Sequence, residues 1–318
     1  MTQTPAPGSA EPPSIDERLG PDDGAALALL IGGNMRGNME VCDCTYPRGS
    51  LPRRVGYLDA FKKKFKETPV LQVEAGNWTY DSTGYLPSVV LQNEQMMRGM
   101  SRWGVDVVNL GRYDVIYAQK LLARDGIAER TADLTAIKNV ISANGVFGDG
   151  VAQPAPYLIK EVTGPRIKGK LKKLRIGFVG LAEPIRPGDG LTDSQVTDMF
   201  QAAQRVVPKA RKECDVLVIV AHCEMNTAMR LATENPQADV VIAGNSEGLF
   251  KPRLVGNTLV VMAAPGYIQQ SDLRLYLSDE GKIAFRFRST DLDRGVPADA
   301  AAQAFTEAAR RDREKLQH

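Results

Sequence analysis

The residues best suited to chemistry in this chain of 318 residues are two cysteines separated by one residue, Cys42 and Cys44. They lie in a polar loop that follows an apolar run, residues 25–31, and the chain-breaking pair Gly32-Gly33. Charged neighbours indicate that this loop is solvated, so the two thiols are not expected to be core residues. A disulfide between residues so close in sequence would be strained and readily reduced. The spacing therefore predicts a thiol redox pair, with Cys42 and Cys44 as the catalytic residues.

A second candidate centre is the dipeptide His222-Cys223, which follows the apolar run at residues 215–220. The chain contains two histidines, and the other, His318, is its last residue. Three thiolates and one imidazole are a recognised ligand set for zinc and also suit other soft divalent metals. If the fold brings this dipeptide to the two cysteines of the first loop, the four side chains could bind such a metal. The alternative is the redox pair alone, with His222 nearby to accept a proton.

The elements that must position these residues are predicted from hydrophobic periodicity. Short apolar runs alternate with amphipathic segments, and five of the runs end in loops that contain Gly, Asn or His, a pattern typical of an α/β fold. Loops at the carboxyl ends of parallel strands share one edge of a sheet, where ligands bind. The strands are predicted at residues 25–31, 70–74, 105–110, 140–143, 157–162, 174–181, 215–220, 239–243, 259–263, 273–277 and 283–287, and the helices at 52–66, 86–103, 193–212 and 298–315.

The composition is that of an ordinary globular protein. With 43% apolar residues, 25% charged residues and a formal net charge of +2, nothing indicates a nucleic-acid or membrane partner. Residues 1–24 are rich in Pro, Gly and Ser and are predicted to be a disordered tail. They lack the apolar core of a secretory signal, so a cytoplasmic location is expected. The folded domain is predicted at residues 25–290, and residues 291–318 are expected to contain a C-terminal helix.

The strand-end loops, in their order along the chain, resemble those of the calcineurin-like metallophosphatases. Within that superfamily they resemble the catalytic domain of the bacterial, UshA-like 5'-nucleotidases, over roughly residues 25–290. The resemblance implies a four-layer αββα sandwich with two metals at the strand ends, which activate water for phosphoester hydrolysis. It extends to the segments RRVGYLDAFKK, GMSRWGVDVVNLG, ISANG, IGFVGL, DVLVIVAH and DVVIAGNSEG.

Most of the metal ligands that the resemblance implies are replaced in this sequence. Two adjacent divalent cations need anionic oxygens and imidazoles, whereas asparagine is neutral and arginine brings positive charge. The resemblance therefore implies a dismantled metal site in which hydrolysis has been lost. The family's Asp-x-His is matched by Asn34 and Arg36, its bridging Asp by Asn77, its Asn-His by Arg112 and Tyr113, its single His by His222, and its His-x-His by Asn245 and Glu247.

The cysteine segment resembles a narrower bacterial group, the UshA-like (seleno)proteins. These carry a Glu-x-Cys-x-Cys-like segment after the first strand, matched here by residues 40–44. A position that accepts selenocysteine in relatives implies redox or soft-metal chemistry. Members of the broader family are often periplasmic, unlike the location expected from this N-terminus.

Three hypotheses follow from these residues. In the first, the site has been reassigned to thiol redox chemistry with a partner protein, or to a soft divalent metal such as zinc. Its metal ligands would be His222, Cys223 and Glu247. In the second, the chain is a working phosphoester hydrolase with unusual ligands, including Asp114 and Glu224.

In the third hypothesis the chain is a non-catalytic module that binds a small anion without a metal. Guanidinium groups bind phosphate or carboxylate bidentately. Arg36 and Arg112 are expected to converge at the strand ends, either paired with Asp114 or Glu247 or open to an anion. The other residues expected to bind the anion are Asn34, Asn77 and Asn245.

Overall fold

The computed structural model describes residues 12–42, 46–80, 86–167, 170–184, 195–245, 251–264, 268–278, 280 and 282–316. Strands and helices alternate along most of this length, and the strands form two six-stranded sheets. Within these residues no helix combines the length and the apolar character needed to cross a membrane.

The first sheet combines four parallel strands with an antiparallel pair at one edge. In spatial order its strands are β12 (Ile283–Asp291), β11 (Gln269–Leu277), β1 (Leu27–Gly32), β2 (Val70–Glu74), β3 (Val107–Asn109) and β4 (Val140–Ile141).

The second sheet also has four parallel strands, flanked by one antiparallel strand at each edge. In spatial order its strands are β5 (Tyr157–Ile167), β6 (Lys170–Ala182), β7 (Val216–His222), β8 (Val240–Ala243), β10 (Thr258–Met262) and β9 (Arg253–Val255).

Helices cover the outer faces of both sheets. They are α1 (Ile15–Leu19), α2 (Leu51–Lys64), α3 (Pro87–Arg102), α4 (Asp114–Leu121), α5 (Ile127–Asp133), α6 (Met199–Arg211), α7 (Met225–Glu234) and α8 (Ala300–Glu314), with a 3₁₀ turn at Thr135–Asn139.

The burial of β1 explains why the sheets stack as they do. All six of its residues are buried, because alternate side chains enter different layers. Leu27, Leu29 and Ile31 pack against the second sheet, whereas Ala28 and Leu30 pack under α1 and α2. Helices α6 and α7 cover the outer face of the second sheet in the same way. The predicted four-layer αββα sandwich is confirmed.

Most predicted elements match the structure closely. Strand β2 occupies the residues predicted for it, and α2 differs from its predicted range by one residue at the start and two at the end. Helix α6 begins at Met199, capped by the Asp198 side chain, which accepts a hydrogen bond from the backbone N–H of Gln201 at 2.8 Å. The predicted start of that helix, at residue 193, lies outside the described residues. Helices α4, α5 and α7 were not predicted.

The N-terminal segment corrects the prediction of a disordered tail. Residues 15–19 form α1, which is capped by Ser14, and Leu19 is fully buried against α2. Asp23 accepts hydrogen bonds from Arg274 and Tyr276 of β11 at 3.0 and 2.7 Å. Composition suggested disorder, but these long-range contacts, which composition does not encode, fix the described part of this segment.

Candidate functional site

The loops that follow β1 and β2 run side by side at the candidate site. The backbone N–H groups of Asn34, Arg36 and Gly37 donate to the carbonyl oxygens of residues 76–78 at 2.9, 3.0 and 2.8 Å. Asn34, Arg36 and Asn77 have φ angles of 54°, 48° and 57°, in the left-handed region. Asparagine adopts this conformation more readily than most residues, so the two asparagines suit the backbone as well as the site.

His222, the last residue of β7, fits against these loops because two glycines leave room for its ring. A Cβ atom on Gly76 would lie 3.0 Å from Cβ of His222, and one on Gly111 would lie 3.0 Å from its Cγ. Gly76 also has a φ of 108°, which side-chain-bearing residues rarely adopt. His222 is consequently 2% exposed. A larger residue at either glycine would displace the imidazole.

Three asparagine side chains and His222 form one network that joins the two sheets. Asn77 Nδ2 donates to Asn34 Oδ1 at 2.7 Å, and Asn34 Nδ2 donates to Asn245 Oδ1 at 3.3 Å. Nε2 of His222 lies 3.4 Å from Asn34 Oδ1. Four residues singled out from the sequence therefore lie together at the strand ends.

Two arginines add positive charge beside this network. Arg36 is exposed, and Arg112 is half-buried, with its guanidinium carbon 5.0 Å from the centre of the Tyr113 ring. Burial, together with the charges of Arg112 and Arg36, lowers the pKa of His222 to about 3. The imidazole is therefore neutral at physiological pH, and both guanidinium groups lie close enough to act on it.

Asp114, the first residue of α4, joins the loops that follow β2 and β3. It is fully buried. Its Oδ2 accepts from the backbone N–H groups of Asn77 and Gly111, the latter at 2.7 Å, and its Oδ1 accepts from the N–H and hydroxyl of Thr79 at 3.0 and 2.8 Å. Burial raises the pKa of Asp114 to about 6, while these hydrogen bonds act to lower it. The carboxylate organises the backbone of the site.

A buried ion pair lies beneath the first loop. Arg54 Nη1 donates to Glu74 Oε2 at 3.1 Å and to Sδ of Met35 at 3.3 Å. The guanidinium packs against Gly32, where a Cβ atom would come within 2.3 Å of it. Burial raises the pKa of Glu74 to about 7, opposed by the charge of Arg54 and reinforced by that of Asp114.

The cysteines occupy three different environments. Cys42 is disulfide-bonded and half-buried in the first loop, and its Sγ accepts from the backbone N–H of Arg48 at 3.3 Å. Cys223 is fully buried in the apolar cluster under α6 and α7, and burial raises the pKa of its thiol well above the usual value. Cys214 is a buried free thiol two residues before β7. Cys44 and Glu247 lie outside the described residues.

The structure therefore separates some of the residues that were grouped as metal ligands. His222 faces the asparagine network, whereas Cys223 enters the apolar cluster on the other side of its sheet, because neighbouring residues at the end of a strand point to opposite faces. No three His, Cys, Asp or Glu side chains of the described ranges converge in a way that could hold a metal ion.

Among the residues that the structure describes, the donors at the strand ends do not fit a pair of divalent cations. Asn34 and Asn77 offer neutral amides that are bonded to each other, and Asp114 is engaged with backbone N–H groups. Arg36 and Arg112 add positive charge to the same region. Zinc, manganese and magnesium sites need carboxylates or several imidazoles, and this set supplies one imidazole.

Sequence reasoning missed the structural roles of Asp114, Thr79 and the Arg54–Glu74 pair. An aspartate that begins a helix is usually read as a cap, and here two of its partners, Asn77 and Thr79, lie in a different loop. Glu74 is the last residue of the buried strand β2. A charged residue in such a strand usually has a buried partner of opposite charge, and this was the signal in the sequence that could have indicated the Arg54–Glu74 pair.

Two curated proteins share sequence with this chain. The trifunctional nucleotide phosphoesterase protein YfkN of Bacillus subtilis is 29% identical over 126 residues, which cover 35% of this chain and 9% of that protein. A 2',3'-cyclic-nucleotide 2'-phosphodiesterase/3'-nucleotidase of Haemophilus influenzae is 30% identical over 162 residues, which cover 46% of this chain and 23% of that protein. The chain thus matches less than a quarter of either relative's length. No family model matches it.

Solved structures share the fold along nearly the whole chain. The calcineurin-like phosphoesterase YfkN of Bacillus subtilis superposes with a TM-score of 0.70 at 18% identity, covering 92% of this chain and 99% of that one. The 5'-nucleotidase precursor of Thermus thermophilus superposes with a TM-score of 0.68 at 19% identity, covering 92% of this chain and 60% of that one. This chain therefore has the fold of the calcineurin-like phosphoesterases and 5'-nucleotidases, and part of its sequence is similar to two nucleotide phosphoesterases.

Proposed function

We propose that this chain has lost metal-dependent phosphoester hydrolysis and acts in thiol–disulfide exchange through Cys42 and Cys44. The observation that carries the proposal is the disulfide-bonded state of Cys42, in the same loop as Asn34 and Arg36. The pairing of Cys42 with Cys44 is part of the proposal, since Cys44 lies outside the described residues. The other two cysteines, Cys214 and Cys223, are free and buried.

The surroundings of Cys42 suit exchange with a dithiol partner protein. Val41 and Tyr46, near Cys42 in the loop, are 43% and 56% exposed, so a partner can approach this segment. A partner thiolate would attack one sulfur and break the S–S bond, and the second partner thiol would then release this chain with two thiols and leave the partner oxidised. The N–H of Arg48 that donates to Cys42 Sγ would favour the thiolate form.

Thiol counting by mass spectrometry tests this proposal. The native, air-oxidised protein should show no alkylation at Cys42 or Cys44, and both should become alkylated after treatment with a dithiol reductant. Cys214 and Cys223 serve as internal controls, because buried thiols of raised pKa should react only after unfolding. A Cys42→Ser variant should expose Cys44 to alkylation without reductant. Alkylation of Cys42 in the untreated wild-type protein would refute the proposed pair.

The loss of hydrolysis has a separate test. Purified protein should release no phosphate from nucleotides above background when manganese, magnesium, zinc or cobalt is added, because Asn77 stands where the family has its bridging carboxylate. Metal-dependent turnover that disappears in a His222→Ala variant would instead support a working hydrolase with unusual ligands.

A further inference from the structure

Arg48 and Cys42 are joined by two hydrogen bonds. The backbone N–H of Cys42 donates to the carbonyl oxygen of Arg48 at 2.9 Å, and the backbone N–H of Arg48 donates to Sγ of Cys42 at 3.3 Å. Arg48 is also anchored from outside the loop, because its neighbour Gly49 donates its backbone N–H to the carbonyl oxygen of Leu292 at 2.7 Å. A sulfur that changes its charge would therefore meet Arg48 in a fixed position.

The guanidinium of Arg48 is paired with Asp291, the last residue of β12. Arg48 Nη1 lies 3.1 Å from Asp291 Oδ1, which also accepts from Gln269 Nε2 at 2.7 Å. Gln269 and Asp291 are paired across β11 and β12, so the sheet fixes this carboxylate. Arg48 Nε is buried and has no hydrogen-bond partner among the described residues. Asp291 is therefore the counter-charge of Arg48.

Two other charged residues near Cys42 are bonded elsewhere. The carboxylate of Glu40 accepts from the guanidinium of Arg313 on α8. Arg53 Nη1 donates to the carbonyl oxygens of Pro47 and Leu292 at 3.4 and 3.3 Å, which holds the backbone beside Arg48. These residues support the loop, whereas Arg48 contacts the sulfur itself.

We propose that Arg48 stabilises the thiolate that Cys42 becomes on reduction, and that Asp291 is a positioning residue that limits this effect. A dithiol partner gives up two electrons, its own disulfide forms and the S–S bond of this chain breaks. One partner proton passes to Cys44 and the other to solvent, which leaves Cys42 as a thiolate. A donated N–H and a nearby positive charge favour the thiolate over the thiol, and a carboxylate next to that charge opposes it. The inference rests on the proposed thiol exchange.

The reduction potentials of two variants test this inference. The full chain is equilibrated at neutral pH with mixtures of reduced and oxidised dithiothreitol or glutathione, and alkylated Cys42 is counted by mass spectrometry. Arg48→Gln should make the disulfide harder to reduce, because the positive charge is lost. Asp291→Asn retains an acceptor oxygen but loses the opposing negative charge, so it should make the disulfide easier to reduce. We expect about a three- to tenfold change in the exchange constant in each direction, or about 15–30 mV.

The opposite signs separate this role from a structural one. Both variants break the same ion pair, so the loss of an anchor alone would shift both potentials in the same direction. Arg48→Lys retains the positive charge and should lie closer to the wild type than Arg48→Gln does. The matched controls Arg253→Gln and Asp125→Asn change charge at exposed positions and should leave the potential unchanged. Thermal unfolding checks that each variant is folded.

Two results would overturn the inference and leave the proposed thiol exchange in place. They are a measurable potential that neither Arg48→Gln nor Asp291→Asn changes, and shifts of the same sign in both variants. Alkylation of Cys42 in the untreated wild-type protein would instead refute the disulfide, and with it both the proposed function and this inference.

Discussion

Asp114 is the residue on which the backbone of the candidate site most depends. We expect Asp114→Asn to lower the free energy of unfolding by about 2–4 kcal/mol, because an amide cannot accept at both ends and buried N–H groups would lose their partner. Urea unfolding, measured well above the Asp114 pKa, checks this value. The control is Asp125→Asn at an exposed position, which should change stability by less than about 0.5 kcal/mol. Equal stability of both variants would contradict the role assigned to Asp114.

Glu74 should make the stability of the protein depend on pH. Its pKa is raised by burial from 4.5 to about 7, so the folded state binds more protons than the unfolded state between these values. The contribution of Glu74 to the free energy of unfolding should therefore fall as the pH rises through this window, by up to about 3 kcal/mol. Glu74→Gln should remove this part of the slope, as measured by urea unfolding at a series of pH values.

The Glu74 slope can be separated from that of Asp114. The pKa of Asp114 is raised from 3.8 to about 6, so its contribution in the same direction ends near pH 6. The lowered pKa of His222 contributes in the opposite direction up to about pH 6.5, so the interval between pH 6.5 and 7 belongs mainly to Glu74. The exposed Glu129→Gln variant should keep the wild-type slope there. If Glu74→Gln keeps it as well, the buried carboxyl is not the group that titrates.

At the scale of elements, the N-terminal segment is part of the fold because it covers a buried charge. Arg274 is 1% exposed and lies over the rings of Phe61 and Phe65 at 5.1 and 4.3 Å. Its remaining partners are Asp272, the carbonyl oxygen of Leu19 and the carboxylate of Asp23. Burial acts to raise the pKa of Asp23, but its bond with Tyr276 and the nearby arginines outweigh this effect and lower it.

We expect Asp23→Asn to destabilise the protein by about 2–4 kcal/mol, because Arg274 would lose an ionic partner in a buried setting. Deletion of residues 1–24 should cost more, since it also removes Leu19 from the apolar cluster under α1. Differential scanning calorimetry measures both effects. The neighbouring exposed Asp22→Asn serves as the control. A truncated protein as stable as the full chain would restore the domain boundary that composition suggested.

The element order could be predicted because each element carries its own local pattern. Strands such as β2 show as short apolar runs, and α2 shows the spacing of one buried helical face. The short helix α4 was missed because it has little amphipathic contrast. The order of strand-end loops also located Asn34, Asn77, Asn245 and His222 at one site. The hydrogen bond between Asn77 and Asp114 and that between Arg274 and Asp23 could not be predicted. They join residues 37 and 251 positions apart, and such contacts produce no periodic pattern in the sequence.

At the scale of the whole molecule, the candidate site belongs to neither sheet alone. Asn34 and Asn77 follow strands of the first sheet, whereas His222 and Asn245 end or follow strands of the second. Asn109 also joins the sheets, donating to the carbonyl oxygens of Ala75 and Leu181 at 3.2 and 3.0 Å. The apolar layer between the sheets therefore sets the distance between the two halves of the site.

This division has a consequence for biosynthesis. The bonds that Asn34 makes with Asn245 and His222 span 211 and 188 residues. Contacts over such separations form late, because the entropy of closing the long loop is lost before they contribute. A nascent chain can build the first four strands of the first sheet while the second half is still being translated, but Asn34 then lacks its partners Asn245 and His222. The asparagine network of the candidate site is therefore complete only when the second sheet has been made and has docked on the first.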